Sequence, residues 1–262
     1  MGQPAGTLAI YADVNAMLDL VLLRIQAVLG TKLVGLYLYG SLVTGDFDPD
    51  RSDLDLLAVI SSELDQNELA ALGAMHQDIA RDEKRWDNRL EVAYLSTHAL
   101  RTFKSETSPI AIISPGEPFH LKTADKDWLV NWYYVREQGR TLFGPSPKLL
   151  IEPISNVEVL QWVQDHLRGW RGLIGKFRSR NGQVYATLTM CRALYTFKTG
   201  GLVSKRQAAT WAQQEYPEWA PLIHVALRSW REDWYRDNVD HAATFPETVR
   251  FVNFAVDQIV VP

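Results

Sequence analysis

Cysteine is almost absent from this chain: Cys191 is the one thiol among 262 residues. A single cysteine excludes an internal disulfide, so a packed core has to hold the fold together. Scarce cysteine suits the reducing cytoplasm, and we expect the protein to act there. Because Cys191 lies in a segment with helical apolar spacing, we expect a buried packing thiol rather than a nucleophile.

An excess of positive charge is also missing. Lysine and arginine number 27 against 31 aspartate and glutamate residues, which gives a net charge of −4. A protein that binds a nucleic-acid polymer usually carries a basic surface, so we expect no such partner. No apolar run approaches the roughly 20 residues that span a bilayer and no signal peptide is evident, so we expect no membrane partner. The ordinary composition indicates a globular protein, which we expect to be a monomer.

The most informative segment lies between residues 36 and 60, where two apolar runs flank a turn-rich loop. The second run carries Asp53 and Asp55 two positions apart, so in a strand both side chains project from one face. Asp-x-Asp pairs are common on solvated strands, but the residues that follow, 56–60, are all apolar. Paired carboxylates in such a run are tolerable when a divalent cation lies between them, and hard oxygen ligands suit Mg²⁺.

The first apolar run ends in Gly40-Ser41. A glycine permits close backbone approach, and a turn of this kind offers N–H donors to a phosphate. A cation site beside a phosphate-binding turn predicts phosphoryl or nucleotidyl transfer.

The order Gly-Ser, eleven residues, then Asp-hydrophobic-Asp-hydrophobic resembles the signature of the nucleotidyltransferase superfamily that includes DNA polymerase beta. The resemblance implies a third carboxylate on a later strand, and Glu91, which alternates with Leu90, Val92 and Tyr94, fits that position. Glu91 is then either a third metal ligand beside Asp53 and Asp55 or the general base that takes a proton from an acceptor hydroxyl. The enzymes it resembles support the base role.

A second resemblance covers residues 187–212, which look like the C-terminal helical domain of aminoglycoside adenylyltransferases that modify streptomycin and spectinomycin, the 3''/9 type. It implies ATP as co-substrate, with Gly40 and Ser41 at its phosphates. Arg192 and Lys205 match the cationic residues that bind nucleotide phosphates, and Trp230 matches an aromatic residue that lies against the nucleotide. Without the resemblance, Arg192 and Lys205 are typical of salt bridges and Trp230 of a helical core.

The two resemblances imply an α+β protein: a small polymerase beta-like, mixed-sheet nucleotidyltransferase domain over 1–153, then an α-helical bundle domain over 154–262. Prolines and glycines at 144–153 mark the boundary. We expect the ligands to bind in the cleft between the domains. Further predicted elements are listed by type: strands 33–39, 53–60 and 89–95, a loop-rich stretch 98–123, and helices 12–29, 63–80, 121–139, 155–178, 183–199, 204–215, 219–236 and 245–259.

The predicted function is Mg²⁺-dependent transfer of AMP from ATP to a hydroxyl of an aminoglycoside-type antibiotic. The loop at 175–183 is basic where the streptomycin-modifying enzymes have an acidic one, so spectinomycin is favoured over guanidinium-bearing streptomycin. Candidate carboxylates for a cationic acceptor are Glu117, Asp125, Asp127 and Asp165. The alternatives are an antitoxin-like enzyme that modifies a protein side chain or another small-molecule hydroxyl, and a nucleotide-binding module without activity.

Overall fold

The computed structural model describes residues 11–231 and 241–260. The chain divides into two compact units, Met1–Ile154 and Ser155–Pro262. The first is built on a mixed six-stranded sheet, and the described part of the second is helical. The predicted α+β class is therefore confirmed.

The sheet of the first unit has the strand order β5-β4-β3-β2-β1-β6. Its strands are β1 Leu33–Tyr39, β2 Leu54–Ile60, β3 Leu90–Ser96, β4 Ser108–Ser114, β5 Glu117–Ala124 and β6 Arg140–Phe143. Strands β2 and β3 pair in parallel, and the other neighbours within the described residues pair antiparallel. The helices of this unit are α1 Ala12–Leu29, α2 Ser41–Thr44, α3 Gln66–Asp82, α4 Thr97–Thr102 and α5 Leu129–Gln138. A parallel pair needs a crossover connection, and α3 supplies it.

Alternation along β2, β3 and the part of β1 after its irregularity at Leu33–Gly35 separates the two faces of the sheet. One face carries Leu36, Leu54, Leu56 and Val92, which join the core formed with α1 and α3. The other face carries the intervening residues, so Asp55, two residues after Asp53, points away from that core.

Helix α1 corrects the expectation that no apolar run reaches membrane-spanning length. The segment Ala12–Lys32 is long and apolar enough, by length and composition alone, to cross a bilayer. Its residues Val14, Val21 and Ile25 are fully buried in the core of the first unit. Packing under the sheet therefore accounts for its apolar composition.

The structure differs from the predicted loop at 98–123, because β4 and β5 form a hairpin there. Pro109 lies in β4 where that strand pairs with β5 but beyond its register with β3, which runs from Ala111 to Ile113. Pro118 lies on the edge strand β5. Both positions tolerate a missing N–H, so the prolines that suggested a loop are compatible with strands. The short strand β6 was not predicted either.

The helices of the second unit are α6 Asn156–Arg168, α7 Trp170–Leu173, α8 Arg180–Thr199, α9 Lys205–Glu215, α10 Ala220–Arg231 and α11 His241–Ile259. The helix predicted over 155–178 is wrong in its extent. Helix α6 ends before Gly169, and α7 is a separate single turn. Helix α8 begins three residues earlier than predicted, since the Ser179 side chain accepts a hydrogen bond from the Gly182 N–H. Residues 232–236 of another predicted helix lie outside the described residues.

The buried Gln183 side chain ties the start of α8 to the start of α11. Its amide nitrogen donates to the carbonyl oxygens of Arg178 (2.9 Å) and His241 (2.7 Å). Its amide oxygen accepts from the hydroxyls of Thr244 (2.7 Å) and Thr248 (3.2 Å). One side chain thus satisfies four other polar groups in the helical unit.

We expect Gln183→Met to lower the free energy of unfolding by about 2 to 4 kcal/mol, because a similar volume remains while the buried partners lose their hydrogen bonds. Urea titration followed by circular dichroism measures this. The matched control is Gln213→Met, since Gln213 bonds the Ala209 carbonyl of its own helix; there we expect less than about 0.5 kcal/mol. Equal losses in the two variants would contradict a linking role for Gln183.

Candidate active site

Three carboxylates lie close together at the N-terminal ends of the parallel strands β2 and β3. Asp53 directly precedes β2, Asp55 is the second residue of β2, and Glu91 is the second residue of β3. Asp55 and Glu91 are register partners, so their side chains leave the sheet on the same face. One carboxylate oxygen of each of the three residues lies within 4.8 Å of the others. The structure therefore brings together the three residues predicted to hold a metal.

The electrostatics of this cluster favour a bound cation. All three carboxylates are half-buried. Burial raises the pKa of Glu91, and the neighbouring charge of Asp53 raises it further, whereas the Tyr39 hydroxyl and Lys122 act in the opposite direction. Three converging hard oxygen donors fit a divalent cation such as Mg²⁺, which would offset their mutual repulsion.

Gly40 permits the close approach of Asp55 to the turn after β1. Its φ is +72°, and a Cβ built on it would lie 1.8 Å from Asp55 Oδ2. The position needs glycine both for its backbone conformation and for the space that the carboxylate occupies. The Asp55 carboxylate can therefore pack against this turn only because residue 40 is glycine.

Ser41 follows this glycine as the first residue of α2. Its hydroxyl oxygen is buried and has no hydrogen-bond partner within the described residues. A buried hydroxyl normally finds a partner, and a phosphate oxygen would supply one here. The Gly40-Ser41 turn therefore fits the phosphate-binding role that the sequence predicts for it.

The sequence analysis missed Tyr39, the last residue of β1. Its hydroxyl donates to Glu91 Oε1 at 3.3 Å, and Tyr39 is the register partner of Asp55. The apolar run 33–39 was read as a buried strand without separate roles for its two faces. Alternation groups Tyr37 and Tyr39 on one face of the strand, but only the pairing of β1 with β2 shows that this is the face of Asp55.

Strand β5, two strands from the Glu91 strand, carries charged side chains, one of which lies near a tryptophan. The Lys122 ammonium lies 5.4 Å from the ring centre of Trp128 and 3.6 Å from Glu117 Oε2. Glu117 also lies 3.7 Å from the His120 Nε2. Of the carboxylates predicted for a cationic acceptor, Glu117 thus already faces two basic side chains.

Two of the other predicted acceptor carboxylates, Asp125 and Asp165, have local structural partners. Asp125 Oδ1 accepts a hydrogen bond from the Asp127 N–H at 2.8 Å, which caps a short helical turn. Asp165 pairs with Arg168 one turn along α6, at 2.5 Å.

The helical unit carries the three predicted nucleotide-binding residues on three neighbouring helices. Arg192 lies in α8, Lys205 is the first residue of α9, and Trp230 lies in α10. The Lys205 ammonium lies 5.6 Å from the centre of the Trp230 ring. Lys205 and Trp230 are therefore adjacent, with the ammonium within cation–π range of the ring.

The basic loop predicted at 175–183 is smaller in the structure. Because α8 begins at Arg180, that residue turns inward, is 8% exposed and donates to the Ser229 hydroxyl at 2.7 Å. Gln183 is buried as well. Exposed positive charge in this segment is therefore confined to Lys176 and Arg178.

Two family models match separate parts of the chain. Residues 25–109 match the nucleotidyltransferase domain, and residues 149–258 match the C-terminal domain of aminoglycoside adenylyltransferase. The chain belongs to the aminoglycoside adenylyltransferase family. It is an enzyme of the nucleotidyltransferase class, and both predictions from the sequence are confirmed.

Relatives in this adenylyltransferase family align along most of the chain. The aminoglycoside (3'') (9) adenylyltransferase of Shigella flexneri is 25% identical over an alignment 268 residues long, gaps included. The alignment covers 96% of this chain and 98% of the relative. The spectinomycin 9-adenylyltransferase of Campylobacter jejuni is 26% identical over 222 residues, which cover 78% and 81%. A crystal structure of spectinomycin adenyltransferase from Enterococcus faecialis, with ATP and spectinomycin, matches with a TM-score of 0.74 at 19% identity and covers 92% of this chain and 98% of its own. That likeness shows a shared fold.

We expect Gly40→Ala to abolish binding of an Mg·ATP analogue, because the added Cβ displaces the Asp55 carboxylate. Isothermal titration calorimetry measures the affinity. Gly45→Ala is the matched control: Gly45 also has a positive φ, +77°, but a Cβ there meets nothing within 4 Å. Gly45→Ala carries left-handed backbone strain of about 1 to 2 kcal/mol, and Gly40→Ala carries at least as much, since Gly40 has a ψ of −148°, in a region that glycine almost alone adopts. An equal loss of affinity in the two variants would show that strain, and not the contact with Asp55, is responsible.

Proposed function

We propose that this enzyme transfers AMP from ATP to a hydroxyl of an aminoglycoside-type antibiotic, releases pyrophosphate and thereby confers resistance. The observation that carries the proposal is the cluster of Asp53, Asp55 and Glu91 beside the Gly40-Ser41 turn. The match of residues 149–258 to the C-terminal domain of aminoglycoside adenylyltransferase supports the acceptor class. The reaction needs ATP, which is abundant in the cytoplasm, and we propose that the enzyme acts there as a monomer.

Each residue of the site has a role in this proposal. Asp53 and Asp55 hold Mg²⁺, which when bound neutralises negative charge on the triphosphate. The Ser41 hydroxyl donates to a phosphate oxygen beside Gly40. Arg192 and Lys205 bind phosphate oxygens from the helical domain, 154–262, and the Trp230 ring lies against the nucleotide. These residues orient the nucleotide and offset its charge, which is most of what the protein contributes to phosphoryl-group chemistry.

Glu91 is proposed as the general base that accepts the proton of the acceptor hydroxyl. A base works best when its pKa approaches the working pH, and burial with the nearby Asp53 raises the pKa of Glu91 in that direction. The alternative is a third metal ligand, since its carboxylate lies within reach of Asp53 and Asp55. As a general base, the Glu91 carboxylate is free to accept a proton from the acceptor hydroxyl. As a metal ligand, it is already bound to the cation before the hydroxyl reacts.

Spectinomycin is the proposed acceptor, ahead of streptomycin. Lys122 is close enough to Glu91 to lower its pKa, so a cation already lies beside the proposed base. Lys176 and Arg178 add exposed positive charge in the segment before α8. Positive charge at these positions repels a guanidinium-bearing acceptor more than a smaller, less charged one. Relatives named for spectinomycin adenylylation are compatible with this choice.

We expect the purified enzyme, given Mg·ATP and a panel of aminoglycosides, to release pyrophosphate and to yield spectinomycin heavier by one adenylyl group. Pyrophosphate assay and mass spectrometry of the drug measure the two products. Asp53→Asn/Asp55→Asn is the inactive control. Adenylylation of streptomycin alone would overturn the acceptor choice, and the absence of any modified antibiotic would overturn the proposed function in favour of a protein or other small-molecule acceptor.

We expect Glu91→Gln to lower kcat by about 10² to 10⁴, because the amide cannot accept the proton of the acceptor hydroxyl. The affinity for a non-hydrolysable Mg·ATP analogue should stay within about threefold of the wild type, because the metal keeps Asp53 and Asp55. Steady-state kinetics and calorimetry measure the two effects. A variant that loses both activity and nucleotide affinity would identify Glu91 as chiefly a metal ligand.

A further inference from the structure

The proposed base has a buried tyrosine as its hydrogen-bond partner. The Tyr39 hydroxyl donates to Glu91 Oε1 at 3.3 Å, and Tyr39 is 6% exposed. A half-buried carboxylate that lacks a donor has many accessible orientations and a poor environment for its charge. A hydroxyl donor held on β1, two strands away from Glu91, limits the orientations of the carboxylate and stabilises its charge.

A third residue fixes the direction of that hydroxyl. The Asn131 side chain, from α5, is hydrogen-bonded to the Tyr39 hydroxyl. A phenolic hydroxyl has one proton, and its oxygen can also accept. When the Asn131 amide donates to this oxygen, the Tyr39 proton is left for Glu91. The three side chains thus form a chain of donors that runs from α5 through β1 to β3.

Tyr37 shows that burial alone does not produce this arrangement. It lies two residues earlier on the same strand and the same face, and it is fully buried. Its hydroxyl donates to the Pro145 carbonyl oxygen at 2.8 Å, which links the strand to the segment after β6. The two tyrosines lie on the same face of β1 and differ in the acceptor of their hydroxyl.

We propose that Tyr39, oriented by Asn131, is a positioning residue that holds the Glu91 carboxylate in one orientation toward the acceptor hydroxyl. With Oε1 held by Tyr39, Oε2 remains for the proton. Misplacement of a catalytic group by about 1 Å costs on the order of 10² in rate. The inference rests on the proposed function of Glu91 as the base.

The first test compares Tyr39→Phe with Tyr37→Phe, since each removes one buried hydroxyl from the same face of β1. Tyr39→Phe should lower kcat by about 10- to 100-fold while leaving the KM values for ATP and acceptor within about twofold. Tyr37→Phe should leave kcat within about twofold, although both variants lose a comparable amount of thermal stability. Calorimetric affinity for a non-hydrolysable Mg·ATP analogue should be unchanged in both. Equal kcat values for the two variants would overturn the inference.

The second test uses a double-mutant cycle. Asn131→Leu should lower kcat in the wild-type background and have no further effect in the Tyr39→Phe background, because Asn131 acts through the tyrosine. Independent, additive losses would overturn the proposed chain.

A structural readout separates failure of this inference from failure of the proposed function. Crystal structures should show one orientation of the Glu91 carboxylate in the wild type and in Tyr37→Phe, and several in Tyr39→Phe. A single orientation in all three would overturn the positioning role, whatever the enzyme transfers. Wild-type protein that modifies no antibiotic would instead overturn the proposed function, while the carboxylate orientations still test the contact.

Discussion

The parallel pairing of β2 and β3 places a carboxylate of each strand at the same level of the sheet, because Asp55 and Glu91 are register partners. A shift of one residue in that register would turn Asp55 or Glu91 into the core under α1 and α3. The pairing therefore fixes the site more strictly than any contact between the carboxylates themselves. It also needs the crossover helix α3, so the apolar face beneath the sheet and the acidic site above it are consequences of one topology.

Gathering three carboxylates at one point opposes folding, since like charges repel and burial disfavours each of them. The fold offsets only part of this cost. Tyr39 donates to Glu91, and the positive charge of Lys122 acts on the same carboxylate. A divalent cation bound among the three carboxylates would offset the remaining repulsion.

The sequence was sufficient where a local pattern determines the structure. The apolar runs at 33–39 and 53–60 predicted β1 and β2, and the spacing of Asp53 and Asp55 predicted their shared face. Glu91 needed more, because its place beside Asp55 depends on strand order, and only the resemblance to nucleotidyltransferases supplied that. Tyr39 was missed for the same reason: its acceptor lies 52 residues away. Arg180 was misjudged because its buried partner, Ser229, is also distant along the chain.

The three carboxylates and the charged residues proposed to meet the acceptor occupy different kinds of position in the fold. The carboxylates belong to neighbouring strands within the sheet, where a change of backbone would disturb the core beneath them. Glu117, His120 and Lys122 belong to the edge strand β5, and Lys176 and Arg178 to a segment between helices. Substitutions at those positions alter charge without moving the register of β2 and β3. The proposed chemistry and the proposed choice of acceptor therefore depend on separate parts of the structure.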